Sequence, residues 1–166
     1  MADSGHDLSH IRYTGDEDHS GDRIAILVSK WNSEITGALA DGAQETLRAA
    51  GIPAENIFLH EVPGSYELPS AAQFVLDADL DTAAVICLGV VIQGETRHFE
   101  FICQAVAQGI RQVSMDYNKP VIFGVLTPDT QQQALDRAGG KYGNKGEEAA
   151  VAALEMIDLQ RKLGAI

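Results

Sequence analysis

One alternation constrains this chain more than any other feature. Four apolar runs, "IAILVS" (24–29), "NIFLHEV" (56–62), "AAVICLGVVI" (83–92) and "VIFGVLT" (121–127), are each followed by a segment with helical spacing or a helix start signal. The continuous apolar runs 24–29 and 83–92 have the pattern of strands buried on both faces. After the first run, "NSEITGALADGAQETLRAAG" (32–51) sets Ile35, Leu39, Ala43 and Leu47 on one helical face, with Asn32 or Ser33 as cap and Gly51 as stop. After the second, "YELPSAAQFVLDA" (66–78) predicts a helix whose Pro69 is tolerated because it falls in the first turn. A third helix is predicted over 98–112. "TPDTQQQALDRAGG" carries a Thr-Pro-Asp start signal and ends on Gly139-Gly140. A last helix over 145–163 has Ala149, Ala153, Met156 and Leu163 among its predicted contacts. Strands separated by helices are parallel with right-handed crossovers, so a three-layer α/β/α domain follows.

Residues 1–22 stand apart. They lack periodicity and hold six acids against one base, Arg12, in a chain of net charge -12. They read as an acidic, mobile or extended arm before a single domain over 23–166. The charge argues against nucleic-acid and anionic-membrane partners, and no stretch reaches the ~20 apolar residues of a membrane helix. Cys87 and Cys103 lie outside any metal-ligand spacing and read as buried free thiols. The polar start "MADSGHDLSH" has no secretory character, so a cytoplasmic location is expected.

Ligands of open parallel sheets bind beyond the carboxyl ends of the strands. Segments 29–33, 62–67, 93–98 and 127–130 lie there. In the third, Gly94 allows close approach of backbone, and the amides of Glu95, Thr96 and Arg97 open a helix that attracts an anion. An ordinary turn capped by Thr is the plainer reading. His98 is either a surface histidine or a proton-transfer group. Trp31 is either a core residue or a flat stacking surface. Glu67 is either a helix-start acid or an acceptor for ligand hydroxyls. "LDRAGGKYGNKG" (135–146) gathers Arg137, Lys141 and Lys145, as solvated charge at a helix end or as a clamp on phosphate.

Five stretches in this order, "WN" (31–32), "PGSYELP" (63–69), "GVVIQGETRHFEFI" (89–102), "PVIFGVLT" (120–127) and "DRAGGKYGNKG" (136–146), resemble the lumazine synthases of riboflavin biosynthesis. The resemblance covers about residues 22–163. It implies a flavodoxin-like fold with a four-stranded parallel sheet. It also implies condensation of 5-amino-6-(D-ribitylamino)uracil with 3,4-dihydroxy-2-butanone 4-phosphate, with no metal or organic cofactor. Carried over by motif, Trp31 would stack on the pyrimidine, and Ser65, Tyr66 and Glu67 would line the ribityl chain. Backbone of Val90, Val91 and Ile92 would meet the ring edge, and Phe123 would contact the ring. Glu95, Thr96, Arg137 and Lys145 would hold phosphate, and His98 would transfer protons.

Two departures stand out. Gln93 replaces an arginine common in relatives, and Glu95 puts a carboxylate beside the expected phosphate. A flavin-binding module fits less well, because "SKWNSE" (29–34) is poor in the hydroxyls a flavin phosphate needs. A shell protein that assembles without turnover is a third reading, opposed by the presence of His98, Arg137 and Glu67. The resemblance further implies homopentamers with sites between neighbours, and it makes riboflavin synthase a candidate partner. The compact turn at 139–146 implies assembly into a sixty-subunit icosahedral shell. In such an assembly "LSHIRYTG" (8–15) could extend along a neighbour's sheet edge.

Overall fold

The computed structural model describes residues 7–166. The first six residues of the arm lie outside the described residues. Beyond the arm, β1 (Arg23–Ser29), α1 (Ser33–Ala49), β2 (Ile57–Val62), α2 (Leu68–Ala78), β3 (Thr82–Val90), α3 (His98–Tyr117) and β4 (Val121–Leu126) keep the expected alternation. Then come α4 (Gln131–Leu135), β5 (Ala138–Gly140), β6 (Gly143–Asn144) and α5 (Lys145–Lys162).

The four long strands form one parallel sheet in the order β2-β1-β3-β4. Successive residues of a strand face opposite layers. Ile24, Ile26 and Val28 join the core with α1 and α5, whereas Ala25 and Leu27 join the core with α2 and α3. The result is the three-layer α/β/α, flavodoxin-like arrangement. The winding reverses between β1 and β3, which opens a crevice at the carboxyl end of the sheet.

The helix starts and ends differ from expectation where backbone chemistry overrides periodicity. Asn32 does precede α1, but in the left-handed conformation (φ 58) and with no side-chain cap bond. Its value there is tolerance of that conformation. The α3 helix runs past 112 to Tyr117, because Val113 extends its buried face and left-handed Asn118 closes it. The segment predicted as one helix from "TPDT" holds only the five residues of α4, capped by Thr130, whose Oγ1 accepts from the Gln133 amide. The chain then forms the β5–β6 hairpin, with Gly139 and Gly143 at φ of 95 and 86. Left-handed glycines end helical bonding and turn the chain.

On α5, Ala149 and Ala153 are buried as expected, but Met156 and Leu163 are 43% and 72% exposed. The helix packs through small residues instead. A Cβ on Gly146 would lie 1.9 Å from the Leu39 carbonyl oxygen of α1. Asn144 spans the same crossing, donating from Nδ2 to Ala38 O at 2.9 Å and accepting from the Gly146 amide at 2.8 Å.

The described part of the arm lies against its own domain. Leu8 and His19 are buried. His19 Nδ1 is 2.7 Å from Asp22 Oδ2, and its Nε2 is 2.8 Å from the Tyr13 hydroxyl and 3.2 Å from Asp158 Oδ1 on α5. Tyr13 donates to Asp158 Oδ2 at 2.6 Å, and Arg161 pairs with Asp22. Burial and the Asp158 carboxylate hold the Tyr13 phenol well above its ordinary pKa. Cys87 is buried and Cys103 half-buried; both are free, and burial raises both thiols. No helix among the described residues is long and apolar enough to cross a membrane.

Because Gly146 leaves no room for a side chain, Gly146→Ala is expected to force α1 and α5 apart at a cost of about 1–3 kcal/mol. Denaturant unfolding measures this; a midpoint equal to that of the unaltered chain would refute the close crossing.

Candidate active site

The strand-end segments after β1 and β2 meet at one small group of residues. The turn after β2 enters a 3-10 turn at Ser65–Glu67, which leads directly into α2. This turn brings Glu67 and Trp31 together over Gly64. A Cβ on Gly64 would lie 3.2 Å from Glu67 Oε2 and 3.3 Å from Trp31 Cδ1. The glycine therefore lets an aromatic plane and a carboxylate share one small surface. Trp31 is 72% exposed, so it is not a core residue. Tyr66 is also exposed.

Ser65 differs from its neighbours. It is buried, and its hydroxyl donates to the Val90 carbonyl at 3.3 Å. The reason lies in the ladder. The pairing of β1 with β3 ends at Val28–Leu88, while β3 continues to Val90. A hydroxyl from the turn after β2 takes over where the strand partner stops. Gly89 makes this possible, since a Cβ there would lie 2.4 Å from Ser65 Oγ and 3.2 Å from Ser29 Oγ. Ser29 itself is buried, and its hydroxyl has no partner among the described residues. The sequence offers no periodic signal for Gly89 or Ser29, because both sit inside apolar runs.

The backbone groups of Val90, Val91 and Ile92 are engaged to different degrees. The Val90 carbonyl is taken by Ser65, and the Val91 amide donates to Leu126 O at 2.8 Å. Ile92 makes no backbone hydrogen bond among the described residues, so it keeps both groups available. Gln93 donates its amide to Pro128 O at 3.0 Å. Gly94 is not in the left-handed conformation, and nothing lies within 4 Å of a Cβ placed on it. Its missing side chain leaves open space rather than enabling a turn. Glu95, Thr96, Arg97 and His98 are exposed. The helix opens at His98, as expected, and Thr96 Oγ1 accepts from the His98 amide at 3.4 Å.

A second group lies on the β4 side of the molecule. Phe123, Arg137 and Lys145 line a cleft of about 550 Å³ together with Gln133 and Glu148. None of Trp31, Glu67 or His98 lines it. Phe123 stands in the middle of β4, paired with Cys87, and is 36% exposed. Lys145 Nζ lies 2.6 Å from Glu148 Oε1, and Glu148 Oε2 is buried without a partner among the described residues. Glu148 lines the cleft, and the motif reading did not name it, although its spacing of three from Lys145 on a helix signals the pair. Arg137 has no carboxylate within ion-pair distance among the described residues; its Nη1 donates to Gln133 O at 3.2 Å. A half-buried guanidinium without a carboxylate is a ready partner for an anion.

The geometry thus offers an aromatic surface beside a carboxylate, a histidine at a helix start, and a cationic cleft. Residues 21–161 match the model of the family described as 6,7-dimethyl-8-ribityllumazine synthase. The chain belongs to that family. Among proteins carrying that name, one from Cytophaga hutchinsonii is 53% identical over 155 residues, covering 93% of this chain and 97% of the relative. One from Porphyromonas gingivalis is 47% identical over 161 residues, covering 97% and 99%. One from Halorhodospira halophila is 48% identical over 143 residues, covering 86% and 91%. Membership in the lumazine synthase family makes the chain an enzyme of the transferase type.

If Ser65 occupies the space Gly89 leaves, Gly89→Ala is expected to destabilise the chain by about 1–3 kcal/mol. The same substitution in a Ser65→Ala background should cost clearly less, because the clashing hydroxyl is gone. Additive losses would show that the two positions do not touch.

Proposed function

We propose that the chain condenses 5-amino-6-(D-ribitylamino)uracil with 3,4-dihydroxy-2-butanone 4-phosphate. The products are 6,7-dimethyl-8-ribityllumazine, phosphate and water, in the penultimate step of riboflavin biosynthesis. The observation that carries this reading is the meeting of Trp31 and Glu67 over Gly64 at the carboxyl end of the sheet, in a chain of this family. Trp31 stacks on the pyrimidine. Glu67 accepts from ribityl hydroxyls, with Tyr66 beside it. Ile92 meets the polar edge of the ring through its free backbone groups. Ser65 shapes that edge by holding the Val90 carbonyl.

Arg137 takes the phosphate, assisted by Lys145 and by the turn at Glu95 and Thr96. Glu95 contributes its backbone amide, a role that requires its carboxylate to point away from the phosphate. His98, at the first residue of α3, moves the protons. Imine formation, phosphate elimination, tautomerisation, ring closure and dehydration make and break bonds with nitrogen and oxygen, and each needs protons moved to or from the reacting atoms. One histidine and an anion clamp serve them, and orientation of two substrates supplies much of the acceleration, up to ~7–11 kcal/mol.

The site is completed between copies. Trp31, Glu67 and His98 make one half and Phe123, Arg137 and Lys145 the other; none of the first three lines the cleft that holds the second three. Head-to-tail contact brings the first half of one copy against the second half of the next, and such contacts close into rings. The edge strand β2 borders an apolar groove that includes Phe58, Val75 and Phe74, the last 68% exposed. The ring is a pentamer, and the compact hairpin at 139–146 favours a sixty-subunit shell.

Mixing the protein with both substrates should produce lumazine fluorescence; none would remove the assignment. His98→Ala should lower turnover by ~10² or more with pyrimidine binding retained. Unchanged turnover would take His98 out of the mechanism. Arg137→Ala should raise KM for the butanone phosphate by roughly tenfold or more, with little effect on the pyrimidine. Sedimentation should reveal a particle far larger than a pentamer. A pentamer with nothing heavier would exclude the shell and leave the chemistry standing.

A further inference from the structure

The arm reaches the cationic cleft. Leu8 is 3% exposed, while Asp7, Ser9 and His10 around it are exposed. Its side chain lines the cleft that holds Arg137 and Lys145. Its amide donates to the Tyr142 carbonyl at 2.7 Å. Gly143 permits the contact, since a Cβ there would lie 2.6 Å from both Leu8 C and Ser9 N.

Tyr142 in turn faces the cations. Arg137 Cζ and Lys141 Nζ each lie 4.9 Å from the centre of its ring. The Tyr142 amide donates to Asp136 O at 2.7 Å, and the Lys145 amide donates to Arg137 O at 2.8 Å. Arg137 is therefore held by a ring on one side and by the Gln133 carbonyl on another. A guanidinium has five N–H donors, and these two contacts leave several free for the cleft. Further along, the arm is tied to α5 through Tyr13, His19 and Asp22, which meet Asp158 and Arg161. Leu8 is thus the near end of a segment anchored at both ends.

We propose that Leu8 and Tyr142 are positioning residues of the anion-binding half-site: the arm backs the hairpin, and the Tyr142 ring sets the direction in which Arg137 presents its donors to a phosphate monoester. This rests on the proposed role of Arg137 in taking the phosphate. It gives the arm a part in the reaction, although the family match begins only at residue 21. The ring is needed rather than the hydroxyl, because the attraction is between a cation and an aromatic face.

Steady-state kinetics of the full-length chain test this with Tyr142→Leu, Tyr142→Phe, Leu8→Ala and Arg137→Ala side by side. Tyr142→Leu should raise KM for the butanone phosphate about two- to fivefold, as expected for loss of a partly exposed cation–π contact. Its kcat and its KM for the ribityl pyrimidine should stay near the values of the unaltered chain. Tyr142→Phe should restore the unaltered KM, and Leu8→Ala should shift it in the same direction as Tyr142→Leu. A Tyr142→Leu enzyme with both KM values raised alike and kcat lowered would mean a general folding defect and overturn the proposal. An unmoved KM in Leu8→Ala would overturn the part given to the arm. Arg137→Ala separates the two readings. An unchanged phosphate KM there overturns the phosphate reading and this proposal together. A raised KM there, with Tyr142→Leu unmoved, overturns this proposal alone.

Discussion

Burial of the parallel sheet on both faces is the constraint on which the other features depend. A strand such as β3, with Ala84 to Leu88 wholly enclosed, exposes no backbone to water. Its polar groups are satisfied only by neighbouring parallel strands, and parallel neighbours require helical crossovers. The crossovers put every strand-to-helix turn at the same end of the sheet. Chemistry-bearing residues far apart in sequence, Trp31, Glu67 and His98, therefore gather there. The unequal strand lengths matter as much. Where β1 stops and β3 runs on to Val90, the sheet leaves a carbonyl without a strand partner, and Ser65 supplies the donor.

A second, more local constraint shapes the cationic half. The α1 and α5 helices approach so closely at Gly146 that only glycine fits, and Asn144 bonds to both sides of the crossing. This fixes the first turn of α5, from which Lys145 projects. The hairpin before it, turned by left-handed Gly139 and Gly143, brings Tyr142 under Arg137. The glycine-rich stretch thus builds a small rigid support for cations in an otherwise acidic chain.

The alternation, the parallel sheet and the layer order were legible because apolar runs and helical spacing report burial directly. Ile35, Leu39, Ala43 and Leu47 are buried as their spacing requires. The hairpin at 138–144 was not legible, because a short glycine-rich segment has no period to read. Met156 and Leu163 misled for a related reason: large apolar residues draw attention, while α5 packs through alanine and glycine. At the candidate site, the family motifs named Trp31, Glu67, His98, Arg137 and Lys145. They could not reveal that Arg137 and Lys145 share a cleft that none of Trp31, Glu67 and His98 lines. Glu148, Gly89 and Leu8 gain meaning only from the fold, since each acts on a residue distant in sequence or on the far side of a turn.

In the proposed assembly each chain carries two half-sites that combine only between copies. Co-assembly of two inactive variants tests it most directly. His98→Ala damages one half and Arg137→Ala the other. Each is prepared alone, and the two are then unfolded and reassembled together in equal amounts. Random mixing should give about one quarter of the sites both intact halves, so the mixture should recover about that fraction of the unaltered activity. A mixture no more active than its two components would contradict the account and place the whole site within one chain.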